Sequence, residues 1–104
     1  MKTKEEILHL IKSRVHSIVP GAKIILFGSR ARGDEKLDSD WDLLILLDKH
    51  QLEPDDFDKI SYPIMELGWN EGQQFSPKLY TLSNWLYRSF TPFYKSIEED
   101  GVIL

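Results

Sequence analysis

The first third of the chain changes from a helical to an extended pattern of apolar residues. Between Ile7 and Val19 the apolar positions recur at helical spacing and fall within one third of the helix circumference. Thr3 and Glu6 stand at the spacing of a capping box, which predicts that this helix begins just after Thr3. The β-branched run Lys23–Phe27 then predicts a buried strand, which ends abruptly at Gly28.

The rest of the chain predicts two further strands, two further helices and a short capped turn. The expected segments are a strand at 41–47, a helix from about 54, a turn at 68–72, a strand at 73–81, a turn capped by Ser83 that carries Trp85 and Leu86, a helix from 91 to 101, and an apolar tail at 102–104. The helix from 54 is expected to bury Phe57, Ile60, Ile64 and Met65. Pro63 predicts a kink or break near Tyr62, because proline does not fit a helix interior. This order of elements predicts a small α/β or α+β domain.

Length and composition limit the protein to one modest core. The chain has 104 residues, of which 41% are hydrophobic and 12% aromatic, so we expect one domain spanning residues 1–104. The absence of cysteine excludes disulfides, thiolate metal sites and cysteine nucleophiles. The longest unbroken apolar run is Leu43–Leu47 and the charged N-terminus does not resemble a signal peptide, so we expect a cytoplasmic protein without a membrane span.

Charge is distributed unevenly along the chain. Residues 1–33 carry seven Lys or Arg against two acids, whereas residues 34–58 carry ten acids against two lysines. The formal net charge of −4 is opposite to the basic surplus of general nucleic-acid binders, so direct nucleic-acid binding is not expected. Most of these charges are expected on solvated faces, but the residues where the two blocks meet form a more specific pattern.

The stretch after the first predicted strand has the features of a phosphate-binding turn. Gly28 lacks a Cβ, which lets the backbone turn and approach a ligand closely. Ser29 is expected at the start of a short helical turn, where free N–H groups and a hydroxyl can hold a phosphate. Arg30 and Arg32 add positive charge suited to bidentate phosphate contacts.

Two aspartates stand at the start of the second predicted strand. Asp40 and Asp42 are two residues apart, so their side chains are expected on one face of the strand, with Cα atoms about 7 Å apart. Mg²⁺ prefers one or two carboxylates together with phosphate oxygens, so this pair predicts a magnesium site that holds one or two ions. The structural alternative is that Arg30 or Arg32, rather than a metal, neutralises the pair.

The combined motif resembles a known signature. Gly28-Ser29, ten intervening residues and Asp40-x-Asp42 are similar to the signature of the DNA polymerase β nucleotidyltransferase superfamily. The short chain and the form of the Gly28–Gly33 segment resemble its minimal nucleotidyltransferases, the small partners of all-helical HEPN proteins in toxin–antitoxin pairs. The resemblance implies a small mixed β-sheet flanked by helices, as in the polymerase β palm. It also implies Mg²⁺-dependent transfer of a nucleoside monophosphate from a triphosphate, for which we expect ATP.

The resemblance also assigns roles to individual residues. Gly28 and Ser29 would hold the triphosphate, with assistance from Arg32, and Arg30 is a further candidate for nucleotide binding because of its charge. Asp40 and Asp42 would be both the metal ligands and the catalytic residues.

One expected feature of active superfamily members is missing. These enzymes usually supply a third carboxylate from a later strand, as a metal ligand and as the base that activates the acceptor. In the third predicted strand of this chain, Gln74 and Ser76 occupy the positions expected for that acid. Glu66 and Glu71 are the nearest acids, and their register would have to shift. Lys78 is an alternative source of the positive charge that a metal would otherwise supply.

These inferences lead to functional hypotheses of different classes. The first is an antitoxin enzyme that pairs with a HEPN-type toxin and transfers AMP to a toxin tyrosine. The second is a catalytically degenerate module that keeps the fold and masks its partner. Transfer to a small molecule such as an antibiotic is disfavoured, because no second domain remains to hold the acceptor. The aromatic segment 85–94 predicts a contact surface for a partner or for a homo-oligomer, with plain core packing as the alternative.

Overall fold

The computed structural model describes residues 2–104 and contains a four-stranded mixed sheet between two layers of helices. Its elements are α1 (Lys4–Ile18), β1 (Lys23–Phe27), α2 (Ser29–Arg32), β2 (Trp41–Leu47), a π-helical turn (Phe57–Ser61), α3 (Tyr62–Asn70), β3 (Phe75–Thr81), α4 (Leu82–Tyr87), α5 (Pro92–Asp100) and β4 (Val102–Ile103). The strand order is β3-β2-β1-β4, with β2 and β3 parallel and β1 antiparallel to both β2 and β4. The predicted fold class is confirmed.

Each face of the sheet buries its own apolar cluster. The larger cluster joins α1, the π-helical turn and α3 to one face, through residues such as Ile11, Leu43 and Ile64. The smaller cluster packs α4 and α5 on the opposite face, with Trp85 and Ile97 as the helical anchors. Successive strand residues point to opposite faces, so a strand covered on both sides must be apolar along its whole length. Within residues 2–104, no helix is long and apolar enough to cross a membrane.

The first helix and the first two strands are confirmed. The Glu6 N–H donates to the Thr3 hydroxyl at 3.1 Å and the Thr3 N–H donates to the Glu6 carboxylate at 2.9 Å, which is the predicted capping box. The strands at 23–27 and 41–47 have the predicted bounds. These segments were predictable because short-range patterns alone determine them: a reciprocal cap three residues apart and uninterrupted apolar runs.

The helix predicted from residue 54 differs in its first turns. It begins as the π-helical turn, in which the Tyr62 N–H donates to the Phe57 carbonyl five residues earlier. The wider turn carries the chain into α3 with Pro63 near its start, where a missing N–H costs little. The expected break near Tyr62 is therefore a change of helix type. Phe57, expected to be buried, is 52% exposed.

The prediction of a turn at 68–72 is wrong for residues 68–70. The α3 helix continues to Asn70, and only the following Glu71 and Gly72 form the turn. Gly68 is present for packing: a Cβ there would lie 2.8 Å from the ring of Phe75 and 3.1 Å from its backbone nitrogen. The glycine therefore lets α3 approach β3 closely, a role that its sequence neighbours do not reveal.

The C-terminal third of the chain also departs from two expectations. The α4 helix is capped by Thr81, whose hydroxyl accepts from the Asn84 N–H, and not by Ser83. Residues 102–103 are not a free tail but form β4, in which Val102 pairs with Leu26 and Ile103 with Ile25. The segment pairs because β1 otherwise leaves a row of backbone groups open at the sheet edge.

Gly68→Ala should reduce the free energy of unfolding by about 1–3 kcal/mol, because the added methyl group overpacks the contact with Phe75. The better helix propensity of alanine, compared with glycine, recovers part of that loss. The matched control is Gly21→Ala, where nothing lies within 4 Å of the new Cβ, and we expect a change within about 0.5 kcal/mol. Urea unfolding of the three proteins would measure both effects. Equal stability of the two variants would contradict the packing role of Gly68.

Candidate functional site

The end of β1 lies directly against one of the two aspartates. In the antiparallel pairing of β1 with β2, Phe27 stands opposite Asp42, and Gly28 follows with φ 75° and ψ −157°. A Cβ on Gly28 would be 3.2 Å from the Asp42 Cγ and closer still to its Oδ2. Glycine is therefore required twice, for its positive φ and for the space that the carboxylate occupies.

Immediately after Gly28, the chain forms a single turn of helix. The α2 turn is closed by Gly33 at φ 82°, and the Gly28 carbonyl accepts from the N–H groups of Ala31 and Arg32. The N–H groups of Ser29 and Arg30 precede the first bonded turn and have no helical acceptor. Ser29, the first residue of this turn, is half-buried. The predicted phosphate-binding turn thus stands beside the acidic pair.

Asp40 and Asp42 lie next to Ser76 of the neighbouring strand. The parallel register places Asp42 opposite Ser76, and the Ser76 hydroxyl donates to the Asp40 Oδ2 at 3.3 Å. Asp40 is exposed, whereas Asp42 is half-buried. The structure therefore brings together Gly28, Ser29 and both aspartates at one end of the sheet, as the sequence predicted.

Electrostatics distinguish the two carboxylates. Partial burial and the neighbouring charge of Asp40 raise the pKa of the Asp42 carboxyl above its usual value. The positive charges of Lys78 and Arg32 act in the opposite direction but do not cancel these effects. An ionised Asp42 therefore costs folding free energy, and a bound cation at this position would relieve that cost.

Arg30 does not face the site. Its side chain is 8% exposed, and its guanidinium donates to the carbonyls of Lys36, Leu37 and Ser39 at 3.0–3.3 Å. The same group lies 4.1 Å from the ring centroid of Trp41. These contacts satisfy the guanidinium within the loop that leads to Asp40, so its candidate role in phosphate contact is replaced by a role in positioning that loop.

Arg32, two residues later, is not held in this way. It is exposed, and its guanidinium makes a marginal contact of 3.5 Å with Asp34. Its positive charge acts to lower the pKa of the Asp42 carboxyl, against the larger effect of burial. Sequence reasoning treated the two arginines alike because it missed the clamp formed by Arg30 and Trp41. Only the folded loop makes that clamp visible.

The two positions expected for a third acid differ in their surroundings. Ser76 stands directly beside both aspartates, whereas Gln74 accepts a long hydrogen bond of 3.4 Å from the Trp69 indole. Glu71 is paired with Lys2 at 2.8 Å. In the described part of the chain, no group of three or more His, Cys, Asp or Glu residues could hold a metal ion.

The oxygens that are present still fit a magnesium ion that shares its ligands with a substrate. Two carboxylates and one hydroxyl are hard oxygen donors, and Mg²⁺ is typically held by one or two carboxylates together with phosphate oxygens. Burial and the charge of Asp40 raise the pKa of the Asp42 carboxyl, and a bound cation would favour its ionised form. Asp40 and Asp42 are thus the residues that would hold the ion.

The C-terminal aromatic segment divides between core and surface. Trp85 is 3% exposed and packs against Tyr80, Phe93 and Tyr94 at ring-centroid distances of 4.9–5.6 Å. Three large side chains of this region are exposed: Leu86 (54%), Tyr87 (80%) and Phe90 (72%). We call these three residues the exposed apolar ridge. Core packing is therefore confirmed for Trp85, whereas a contact surface at the three exposed residues stays a prediction.

Comparison with known proteins identifies the family. The sequence profile of the nucleotidyltransferase domain matches residues 8–104 of the chain. This range contains the glycine–serine turn, both aspartates and all four strands. The chain belongs to the nucleotidyltransferase domain family, which confirms the resemblance drawn from the motif.

A solved structure shares the fold. A chain in the crystal structure of a toxin–antitoxin with AMP-PNP superposes with a TM-score of 0.60 at 18% sequence identity, covering 97% of this chain and 72% of that chain. At this identity the likeness is one of fold. No match was found among curated proteins.

Asp42→Asn should raise the melting temperature at neutral pH, because it removes a carboxylate whose pKa is raised in the folded state. A raised folded pKa means that folding favours the protonated form. The cost of ionised Asp42 is therefore absent below the ordinary aspartate pKa of about 3.9 and complete above the raised value. We expect the gain of the variant to be full at pH 7 and to vanish below about pH 3. Asp48→Asn, at an exposed position at the other end of β2, is the control for removal of one surface charge. A gain that is independent of pH would contradict the assignment.

Proposed function

We propose that this protein binds a nucleoside triphosphate, expected to be ATP, with Mg²⁺ and transfers its nucleoside monophosphate to a hydroxyl group. The observation that supports this most directly is the contact of Asp42 with Gly28, which sets a carboxylate pair beside a phosphate-binding turn. In this proposal residues 1–104 act as one domain. We further propose a cytoplasmic location, because ATP is the expected substrate.

Each residue of the site has a defined task in the proposed reaction. The free N–H groups at the start of α2 and the Ser29 hydroxyl bind phosphate oxygens, and Arg32 adds charge at the rim. Asp40 and Asp42 would hold Mg²⁺, which when bound would polarise the α-phosphate. The acceptor oxygen forms a bond to the α-phosphorus, pyrophosphate leaves, and the acceptor proton passes to a base. Ser76 and the clamped Arg30 keep Asp40 in position.

The proposed acceptor is a protein, specifically a tyrosine of an all-helical HEPN-type toxin. The exposure of Asp40 and the partial exposure of Asp42 leave the acidic pair open at the surface. Small-molecule substrates are usually enclosed by their sites, whereas an open site admits a side chain that a folded partner presents. The similar chain from a toxin–antitoxin structure with AMP-PNP supports the same reading. The exposed apolar ridge is the surface that we propose for contact with this partner, or for a homo-oligomer.

A second candidate function is masking without transfer. Ser76 stands where an acid would be expected, and a hydroxyl with its ordinary high pKa does not serve as a base at neutral pH. Under this alternative the chain keeps nucleotide binding and silences its partner by covering it. The two candidates share the nucleotide site and differ only in whether AMP appears on the partner.

The double variant Asp40→Asn with Asp42→Asn should lose Mg²⁺-dependent ATP binding, because it removes both carboxylates that would hold the metal. Calorimetric titration with ATP in Mg²⁺ and then in EDTA measures this. The single variant Asp48→Asn is the control and should bind as the parent does, since Asp48 lies at the opposite end of β2. Unchanged binding by the double variant would show that the metal site is wrongly assigned.

Ser76→Asp should raise the rate of AMP transfer, because it adds an acid beside Asp40 and opposite Asp42. The assay follows radiolabelled AMP from ATP onto the copurified partner, with mass spectrometry to locate it. Gln74→Asp is the matched control, since Gln74 lies towards Trp69, and it should give no gain. Transfer by the parent chain supports the enzyme. Its absence in the parent and in Ser76→Asp would favour masking.

A further inference from the structure

Lys78 follows Ser76 on the sheet face that carries the acidic pair. Strand residues two apart share a face, so Ser76 and Lys78 of β3 lie on the same side as Asp42 of β2. Lys78 pairs with Leu44, one step beyond the pair formed by Asp42 and Ser76. Diagonal neighbours on one face lie about 7–8 Å apart, within reach of a long side chain.

The ammonium of Lys78 forms no ion pair within 4.0 Å in the described part of the chain. Four other lysines form ion pairs with carboxylates within 4.0 Å: Lys2, Lys4, Lys49 and Lys59. Lys78 forms none within residues 2–104 and is exposed, on the sheet face that it shares with Asp42. The acid expected on this face is absent, and a base stands two residues further on. The face therefore carries two negative charges and one positive charge.

We propose that Lys78 is a built-in cation of the acidic pair: its ammonium supplies part of the positive charge beside Asp42, so that the site holds a single divalent ion. This inference rests on the metal site of the proposed function and deepens it. A second divalent ion would be repelled by the ammonium and would find only two carboxylates to share with the first. Lys78 acts through Asp42 and is a positioning residue.

The proposal is tested by titration of the nucleotide-free protein with Mn²⁺, followed by electron paramagnetic resonance. Lys78→Met removes the charge and keeps the length, and it should bind Mn²⁺ about tenfold more tightly than the parent, as expected for the loss of one charge about 6 Å from a divalent ion in water. Lys78→Arg restores a positive charge and should return the affinity to the parental value. Lys12→Met, on the exposed face of α1, is the control and should leave the affinity unchanged.

A second titration, in the presence of AMP-PNP, counts the ions. We expect one Mn²⁺ per chain in the parent. Two ions per parent chain, equal Mn²⁺ affinities for the parent and Lys78→Met, or no Mn²⁺ binding to any variant would each overturn the inference. The test is separate from that of the proposed function. Failure of the parent to bind AMP-PNP in Mg²⁺ would remove the proposed function, while tighter Mn²⁺ binding by Lys78→Met would still support the role of Lys78.

Discussion

The antiparallel pairing of β1 with β2 sets Phe27 opposite Asp42, and the geometry of the candidate site depends on that register. It places the Asp42 carboxylate against Gly28. The turn with free N–H groups and the acidic pair therefore lie at the same end of the sheet. A shift of one residue would turn Asp42 to the opposite face, into the larger apolar cluster. The apolar residues of β2, which are buried on both faces, hold the register in place. Core packing and site geometry are therefore consequences of the same strand pairing.

The two arginines of α2 differ in their surroundings: Arg30 stabilises the loop between α2 and β2, whereas Arg32 is exposed. Arg30 is held by three loop carbonyls and by the Trp41 ring, whereas Arg32 remains exposed near Asp42. A guanidinium buried in this way is costly to remove, because its loss would leave the loop carbonyls without donors. The clamp orders the chain immediately before Asp40. Arg30 thus supports the acidic pair without contacting a substrate.

The neighbouring strand completes the site with less negative charge than a third carboxylate would provide. Ser76 contributes a hydroxyl to Asp40, and Lys78 contributes a charge to Asp42. In the proposed function, this arrangement suits one divalent ion and an anionic substrate. The step for which residues 2–104 offer no evident group is the removal of the acceptor proton. The choice between transfer and masking therefore depends on whether a base removes that proton.

Short-range patterns were sufficient for the helix cap at Thr3, the first two strands and the candidate residues Gly28, Asp40 and Asp42, because each depends on neighbours a few positions away. Contacts between distant segments decided the rest. Gly68 lies inside α3 because Phe75 leaves no room for a side chain, and residues 102–103 become a strand because β1 has an open edge. In the same way, the clamp on Arg30 follows from loop packing, and the contact of Ser76 with Asp40 follows from the pairing of β2 with β3. The sequence by itself determined which chemical groups are present and the local elements that carry them, whereas the tertiary structure decided which of them meet, because pairing and packing join residues that are remote along the chain.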